Sequence, residues 1–415
     1  MPDLGTIDLK SIYCTEEEAA KQKIRYEEAV ARFVEFTGSK DFKIFSAPGR
    51  TEIGGNHTDH QRGEVLAASV SKDSIAIVRK RDDNTIHLLA DGFGQIDISL
   101  DDLTPKAEEE GSSAALIRGT AAAVKEAGYA IGGFDAYTTS EVLIGAGLSS
   151  SASFEVLIAT ILSGLYNDMK ISPETAAIAS QKAENVYFGK PCGLMDQMAC
   201  SVGGTVYIDF NDPGSPKVTA IPFDLSSFGY RLCITDTKGS HADLTPDYAA
   251  IPSEMTSVAA FLGKDKLRGV SLEEVMNAIP GLRAELGDRA VLRALHFEQE
   301  TKRAKDEADA LQRGDFPSFL KIFKASSNSS FKYLQNVYST TDLKSQGIAV
   351  ALAVSDILLG DDEASRVHGG GFAGTVQAFV REEKVERYRL AMDKIFGEGS
   401  CSVMSIRNKG GIRVI

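Results

Sequence analysis

The chain has 415 residues, 43% of them apolar, and a formal net charge of −13 at pH 7. Its length exceeds the usual single-domain range, so two domains with separate cores are expected, and the acidic balance leaves no basic stripe to neutralise nucleic-acid phosphates. No apolar run is long enough to span a bilayer, Met1 to Lys21 lacks the basic and apolar regions of a signal peptide, and the five scattered cysteines show no C-x-x-C, so a cytoplasmic protein with reduced thiols and no membrane, nucleic-acid or obligate protein partner is expected.

Residues 17 to 37 read as an amphipathic helix carrying Ile24, Val30, Phe33 and Val34, with Gly38 as its C-cap. A strand from Phe42 to Ser46 should stop at Pro48-Gly49, leaving Arg50 and the polar run Thr51 to His60 on a loop. That run is dense in hydrogen-bonding groups and suits a polyhydroxylated ligand. A zinc site at His57, Asp59 and His60 is the alternative, although no H-E-x-x-H or further cysteine ligand accompanies them. Val65 to Val70, Ile75 to Lys80, Thr85 to Leu89 and Gln95 to Ile98 predict short strands of a mostly antiparallel sheet, with a hairpin turn at Asp82-Asp83-Asn84. Ala114 to Ala127 predicts a helix.

A strand from Phe134 then leads into Gly145, Ala146, Gly147, Leu148, Ser149, Ser150 and Ser151, followed by a helix whose Phe154, Leu157, Ile158, Ile161 and Leu165 share one apolar face. Glycines that let backbone approach a ligand, three serines and the positive end of a helix dipole describe a phosphate cradle. The chain lacks the Gly-Lys-Ser/Thr of a Walker A loop, and Ser150 stands where a dinucleotide fingerprint needs its third glycine. Glu155 comes one residue too late to close a capping box with Ser151, which leaves the serines for ligand.

Pro173 opens a helix that passes Glu184 and ends near Phe188. After Gly189-Lys190-Pro191-Cys192-Gly193, Asp196 lies among Leu194, Met195 and Met198, so it caps a helix, has a cationic partner or carries a raised pKa. The turn-rich loop Asn211 to Ser215 places the domain boundary, giving residues 1–214 and 215–415. Strands follow near Val218 and from Arg231 to Asp236, then helices from Asp247 to about Leu359. In the long charged helix between Asp288 and Arg313, Glu300, Lys305 and Glu307 read as a solvated face. Strand, glycine turn (Gly369 to Gly374), strand, helix and two short strands resemble a split β-α-β unit; the turn is a hairpin corner or backbone that closes on a ligand.

Ala47-Pro48-Gly49-Arg50 with His57-Thr58-Asp59, Gly145 to Ala152, and Gly193-Leu194-Met195-Asp196-Gln197 together resemble the GHMP small-molecule kinases, and within them the galactokinase family. Asp236 to Tyr248 and Gly369 to Gly374 are weaker matches. The resemblance implies an α+β, two-domain fold with an S5-like N-terminal domain and a ferredoxin-like C-terminal domain. It also implies transfer of the ATP γ-phosphoryl group to the anomeric hydroxyl of galactose. Asp196 would take the hydroxyl proton, and Arg50 would hold Asp196 ionised and stabilise the transferring charge. Asn56, His57, Asp59, Gly193 and Tyr248 would contact the sugar, residues 145 to 151 would bind ATP, and Ser151 and Glu184 would hold Mg²⁺.

Departures from the family pattern fall in the sugar motif, where Glu52, Asn56 and His60 replace an asparagine, an acidic residue and a tyrosine. Leu143 replaces a proline before the phosphate loop, and the third motif reads Val367-His368-Gly369. A kinase for a related sugar, such as N-acetylgalactosamine or a pentose, and a non-catalytic sugar sensor are the alternatives that these departures leave.

Overall fold

The computed structural model describes residues 4–142, 147–239 and 244–415. Two sheets organise it. The larger contains β1 (Lys43–Gly54), β2 (Glu64–Lys80), β3 (Thr85–Ala90), β4 (Gly94–Ser99), β5 (Phe134–Ser140), β6 (Thr205–Asp209) and β7 (Lys217–Ile221). The smaller contains β8 (Tyr230–Asp236), β9 (Ala364–His368), β10 (Thr375–Arg381) and β11 (Cys401–Met404), while β12 (Ile412–Arg413) returns to the larger. Strand order is β12-β1-β2-β5-β3-β4, with β6 and β7 continuing from β2, and β11-β8-β10-β9 in the small sheet. The boundary expected at 214 falls between β6 and β7, so strands on both sides of it pair in the large sheet.

Three expectations for the large sheet are corrected. β1 does not stop at Pro48-Gly49 but runs to Gly54, with register shifts between Pro48 and Arg50 and between Glu52 and Gly54. Proline removes one ladder hydrogen bond, and the bulge turns the next amide away, so Arg50 N donates to Leu148 O at 3.0 Å instead of to β2. Arg50 therefore sits on a strand. Secondly, the two short strands expected between Val65 and Lys80 are one strand, in which the polar run Ser71 to Ser74 marks a change of partner from β6 to β5. Asp73 is drawn inward there by Arg25 at 2.6 Å and Arg407 at 2.8 Å. Thirdly, Asp82 to Asn84 makes no hairpin, because β5 lies between β2 and β3 and pairs parallel to β3.

The helices follow their apolar faces. Glu16–Thr37 begins at Thr15, whose hydroxyl accepts from Glu18 N, and ends at Gly38 with φ 69°. Ser150–Tyr166 buries Val156, Leu157, Ile161 and Leu162 against Phe45, Val78 and Ala136 of the large sheet. A second cluster spans both sheets, joining Ile53 and Leu66 to Leu232 and Phe379 through Phe319 and Phe323. On the long helix Asp288–Gln312 the expected solvated face is overturned: Lys305 is exposed, but Glu300 and Glu307 are fully buried. Glu300 is drawn in by charge-assisted bonds from Arg303 Nε at 2.7 Å and the Ser326 hydroxyl at 2.5 Å, with the Arg366 guanidinium at 3.7 Å. Among the described residues no helix is long and apolar enough to cross a membrane, and all five cysteines are unpaired.

Candidate active site

The glycine–serine loop reaches its helix through two left-handed residues, Gly147 (φ 71°) and Ser149 (φ 59°). Glycine adopts that conformation freely; a serine there is strained, and such strain gathers where a side chain must be aimed. Ser149 does not cap the helix it precedes. Its hydroxyl instead donates to Asp196 Oδ2 at 2.6 Å, leaving the first N–H groups of Ser150–Tyr166 without a side-chain cap. Leu148 anchors the loop in the cluster that spans the sheets. Gly145 and Ala146, both expected to bind ATP, lie outside the described residues.

Asp196 occupies the first turn of the helix Met195–Val202. Arg50, delivered by the β1 bulge, grips it with Nε and Nη2, each at 2.7 Å from one carboxylate oxygen, and also donates through Nη1 to Gly147 O. A two-point guanidinium–carboxylate fork fixes both groups. Burial works against the Asp196 charge, but Arg50 and the Ser149 hydroxyl outweigh it and hold the carboxyl below its usual range. Of the three readings open in the sequence, the cationic partner is the one realised. Arg50 is 9% exposed at its side chain and Asp196 28%, so the aspartate is the more open of the two.

Asp59 lies close by. Its Oδ2 lies against Gly193, where a side chain would overlap it, and its Oδ1 accepts from His60 N at 2.9 Å. Burial, followed by the charge of Asp196, pushes the Asp59 carboxyl up. Two carboxylates, Arg50 and the Gly193 backbone thus converge on one place. His57, at φ 58°, donates through Nε2 to Gly370 O at 2.9 Å, and burial lowers its imidazole to about 4. Tyr248 OH donates to Gly371 O at 2.8 Å, with its ring edge-on to Phe372. Both side chains are therefore pinned to the turn that follows β9. Among the described residues no group of three His, Cys, Asp or Glu side chains could hold a metal, so the zinc alternative at His57, Asp59 and His60 has no geometry behind it.

Asn56, expected to contact sugar, is fully buried, and its amide is saturated by protein. Nδ2 donates to Glu52 Oε1 at 2.9 Å and Gly369 O at 2.8 Å, and Oδ1 accepts from Asn336 at 2.9 Å and Ser330 at 3.3 Å. An amide has two donors and two acceptor sites, and all are used. Glu52 also receives Arg366 Nη2 at 2.5 Å. The acid and the amide that stand exchanged relative to the family pattern are hydrogen-bonded to each other.

The Ser151 hydroxyl donates to Glu184 Oε1 at 2.9 Å, which brings the two residues expected to hold Mg²⁺ side by side. Glu184 lies in the π-helical turn Ala183–Phe188 and is 2% exposed. Sequence reasoning missed its other partners: Lys190 Nζ at 2.8 Å from Oε1 and Gln197 Nε2 at 2.7 Å from Oε2. The signal was present, since Lys190 is the cation between Glu184 and Asp196 in the chain. Gln197 also reaches Glu155 at 3.2 Å, a buried carboxyl that burial and then Glu184 push well above its usual range.

Residues 115–204 match the GHMP kinases N terminal domain, and residues 31–80 match the galactokinase galactose-binding signature. The galactokinase of Streptomyces coelicolor is 30% identical over 372 residues, covering 88% of this chain and 91% of that protein. That of Clostridium tetani is 27% identical over 372 residues, covering 89% and 92%. The crystal structure of Lactococcus lactis galactokinase complexed with galactose shares the fold at a TM-score of 0.79, with 24% identity, 94% of this chain and 99% of that chain covered. A glycine–serine loop at a helix N-terminus beside an arginine-clamped aspartate, in a chain matched along nine-tenths of its relatives' length, leads to one assignment: the chain belongs to the galactokinase family, with the α+β fold of the GHMP kinases.

Proposed function

We propose that the chain transfers the γ-phosphoryl group of Mg-ATP to the C1 hydroxyl of galactose. The observation that carries this reading is the Arg50–Asp196 fork, set beside the serine loop and facing Asp59. Phosphoryl transfer passes through a loose transition state in which positioning and charge stabilisation do most of the work. Asp196 accepts a hydrogen bond from the C1 hydroxyl and aims it. Because Arg50 keeps Asp196 acidic, the proton moves late, once bonding to phosphorus has made the hydroxyl oxygen a strong acid. The Arg50 charge then lies beside the oxygens on which negative charge collects. Asp59 and the Gly193 backbone border the sugar, and His57 and Tyr248 hold the turn at Gly370 and Gly371 in place behind it.

Ser151 and Glu184 offer adjacent hard oxygens at the head of the loop helix, a donor set that suits Mg²⁺. Mg²⁺ held there would neutralise phosphate charge, and Lys190 now supplies the counter-charge that Glu184 needs. Release of ADP from Mg-ATP on addition of galactose, against a panel of other free sugars, tests the reading. No galactose-dependent ADP release would overturn it, and the same panel separates a related-sugar kinase from a silent sugar sensor.

A further inference from the structure

His368 closes β9, is 2% exposed, and meets three separate parts of the chain. Nε2 lies 3.1 Å from the Thr51 hydroxyl on β1, one residue beyond Arg50, and Nδ1 lies 2.9 Å from the Thr375 hydroxyl on β10. The third neighbour is the phosphate loop. A Cβ placed on Gly147 would fall 2.8 Å from His368 Nδ1 and 2.6 Å from Thr375 Oγ1. Imidazole and hydroxyl therefore form the floor on which Gly147 rests, while Arg50 holds the carbonyl of the same residue.

The surrounding contacts assign the proton on the ring. Gln377 Nε2 donates to Glu52 O, so its Oε1 receives the Thr51 hydroxyl at 3.0 Å. Thr51 has then spent its hydrogen and can only accept from His368, which places the ring proton on Nε2 and leaves Nδ1 to receive Thr375. The 3.4 Å approach of Glu52 N to Nε2 is the one contact this tautomer gives up. Burial, and after it the guanidinium charges of Arg50 and Arg366, push the imidazole well below its usual range and keep it neutral. A cation here would oppose Arg50 and would break the bond from Thr375.

We propose that His368, acting with Thr375, is a positioning residue for the nucleotide, setting the height of the Gly147 backbone and so the aim of the loop amides at phosphate. The proposal rests on the reading of that loop as the ATP site. It predicts that the small sheet takes part in nucleotide binding through a side chain that touches no nucleotide.

Calorimetric titration of the full chain with Mg-AMPPNP, and separately with galactose, tests it. His368→Ala and His368→Phe, the second filling the floor without hydrogen bonds, should weaken nucleotide about tenfold, the sum of two neutral hydrogen bonds partly replaced by water. Galactose affinity should change less than about twofold. His368→Gln, which keeps a neutral donor and acceptor, should recover nucleotide binding, and Thr375→Val should reproduce the loss even if His368→Ala fails to fold. Nucleotide affinity unchanged in all variants overturns the proposal, as does a parallel loss of nucleotide and sugar in every variant, His368→Gln included. A parent chain that takes no Mg-AMPPNP overturns the loop reading itself, and the proposal with it.

Discussion

The carboxyl of Glu307 lies directly against Gly54, so closely that any side chain on that glycine would overlap it. Glu307 is fully buried, and neither of its oxygens has a hydrogen-bond partner. Burial, with the nearby Glu300 charge, pushes its pKa well above the usual range, so the group is carried into the fold as a neutral acid. A carboxyl raised on folding contributes stability that is complete below its unfolded pKa and is lost as pH rises towards its folded pKa. Glu307→Gln keeps the shape and abolishes that titration. Through that window the parent should lose up to about 1.4 kcal/mol per pH unit from this group. Chemical denaturation at a series of pH values should therefore show the glutamine variant gaining on the parent as pH rises; parallel curves would contradict the neutral-acid assignment.

Asp196→Asn should lower turnover by about 10²- to 10⁴-fold, the usual contribution of a proton acceptor, while nucleotide affinity is kept. The acid limb of kcat/KM should lie below that of an ordinary carboxylate, because Asp196 is depressed and stays ionised into acid. In Arg50→Gln the main counterweight to burial is gone, so the residual activity should lose its acid limb at higher pH than the parent. A limb that stays in place would mean another group titrates there.

Asn56→Glu is expected to damage the fold. The new carboxylate would stand where an amide now donates to Glu52 at 2.9 Å, inside a fully buried network. A second buried acid with no added cation costs about 3 kcal/mol or more. The exchange Glu52→Asn with Asn56→Glu keeps one acid and one amide in the pair, and should recover much of the loss in melting temperature. Equal destabilisation by the single and the double variant would break the exchange argument.

Ser151→Ala and Glu184→Gln should each raise the Mg²⁺ concentration for half-maximal velocity by about tenfold, the loss of one oxygen ligand. Nucleotide affinity measured in excess chelator should change little. Identical metal titrations for parent and both variants would remove the pair from the metal site.

Legibility in the sequence followed distance along the chain. The turn into the helix Ser150–Tyr166 was readable because glycine, serines and the helix they open are consecutive, so local geometry decides the outcome. Asp196 was readable as a charge among apolar neighbours, although Arg50, its answer, lies 146 residues earlier. The β1 bulge was not readable, since Pro48-Gly49 signals a stop and the backbone that continues the strand's bonding is Leu148. Glu300 and Glu307 misled for the same reason: a helix with charges spaced around it looks wet until Arg366 and Ser326 arrive from later elements. The partners of Asn56 were not readable, because residue type alone does not reveal whether an amide is already saturated.

The large sheet is also closed from far along the chain. β12 pairs with β1 at Phe45 and Ser46, and Arg407 neutralises Asp73 in the middle of β2. Residues 407–413 thus follow every strand of the small sheet in the chain, yet they complete the large sheet that β1 begins. Without residues 407–413, Arg25 would be the one cation left in an ion pair with Asp73 among the described residues, and the outer flank of β1 would be unpaired. The Arg50–Asp196 fork built on β1 therefore leans on a strand contributed from beyond the small sheet, and disrupting β12 would turn β1 into an open edge.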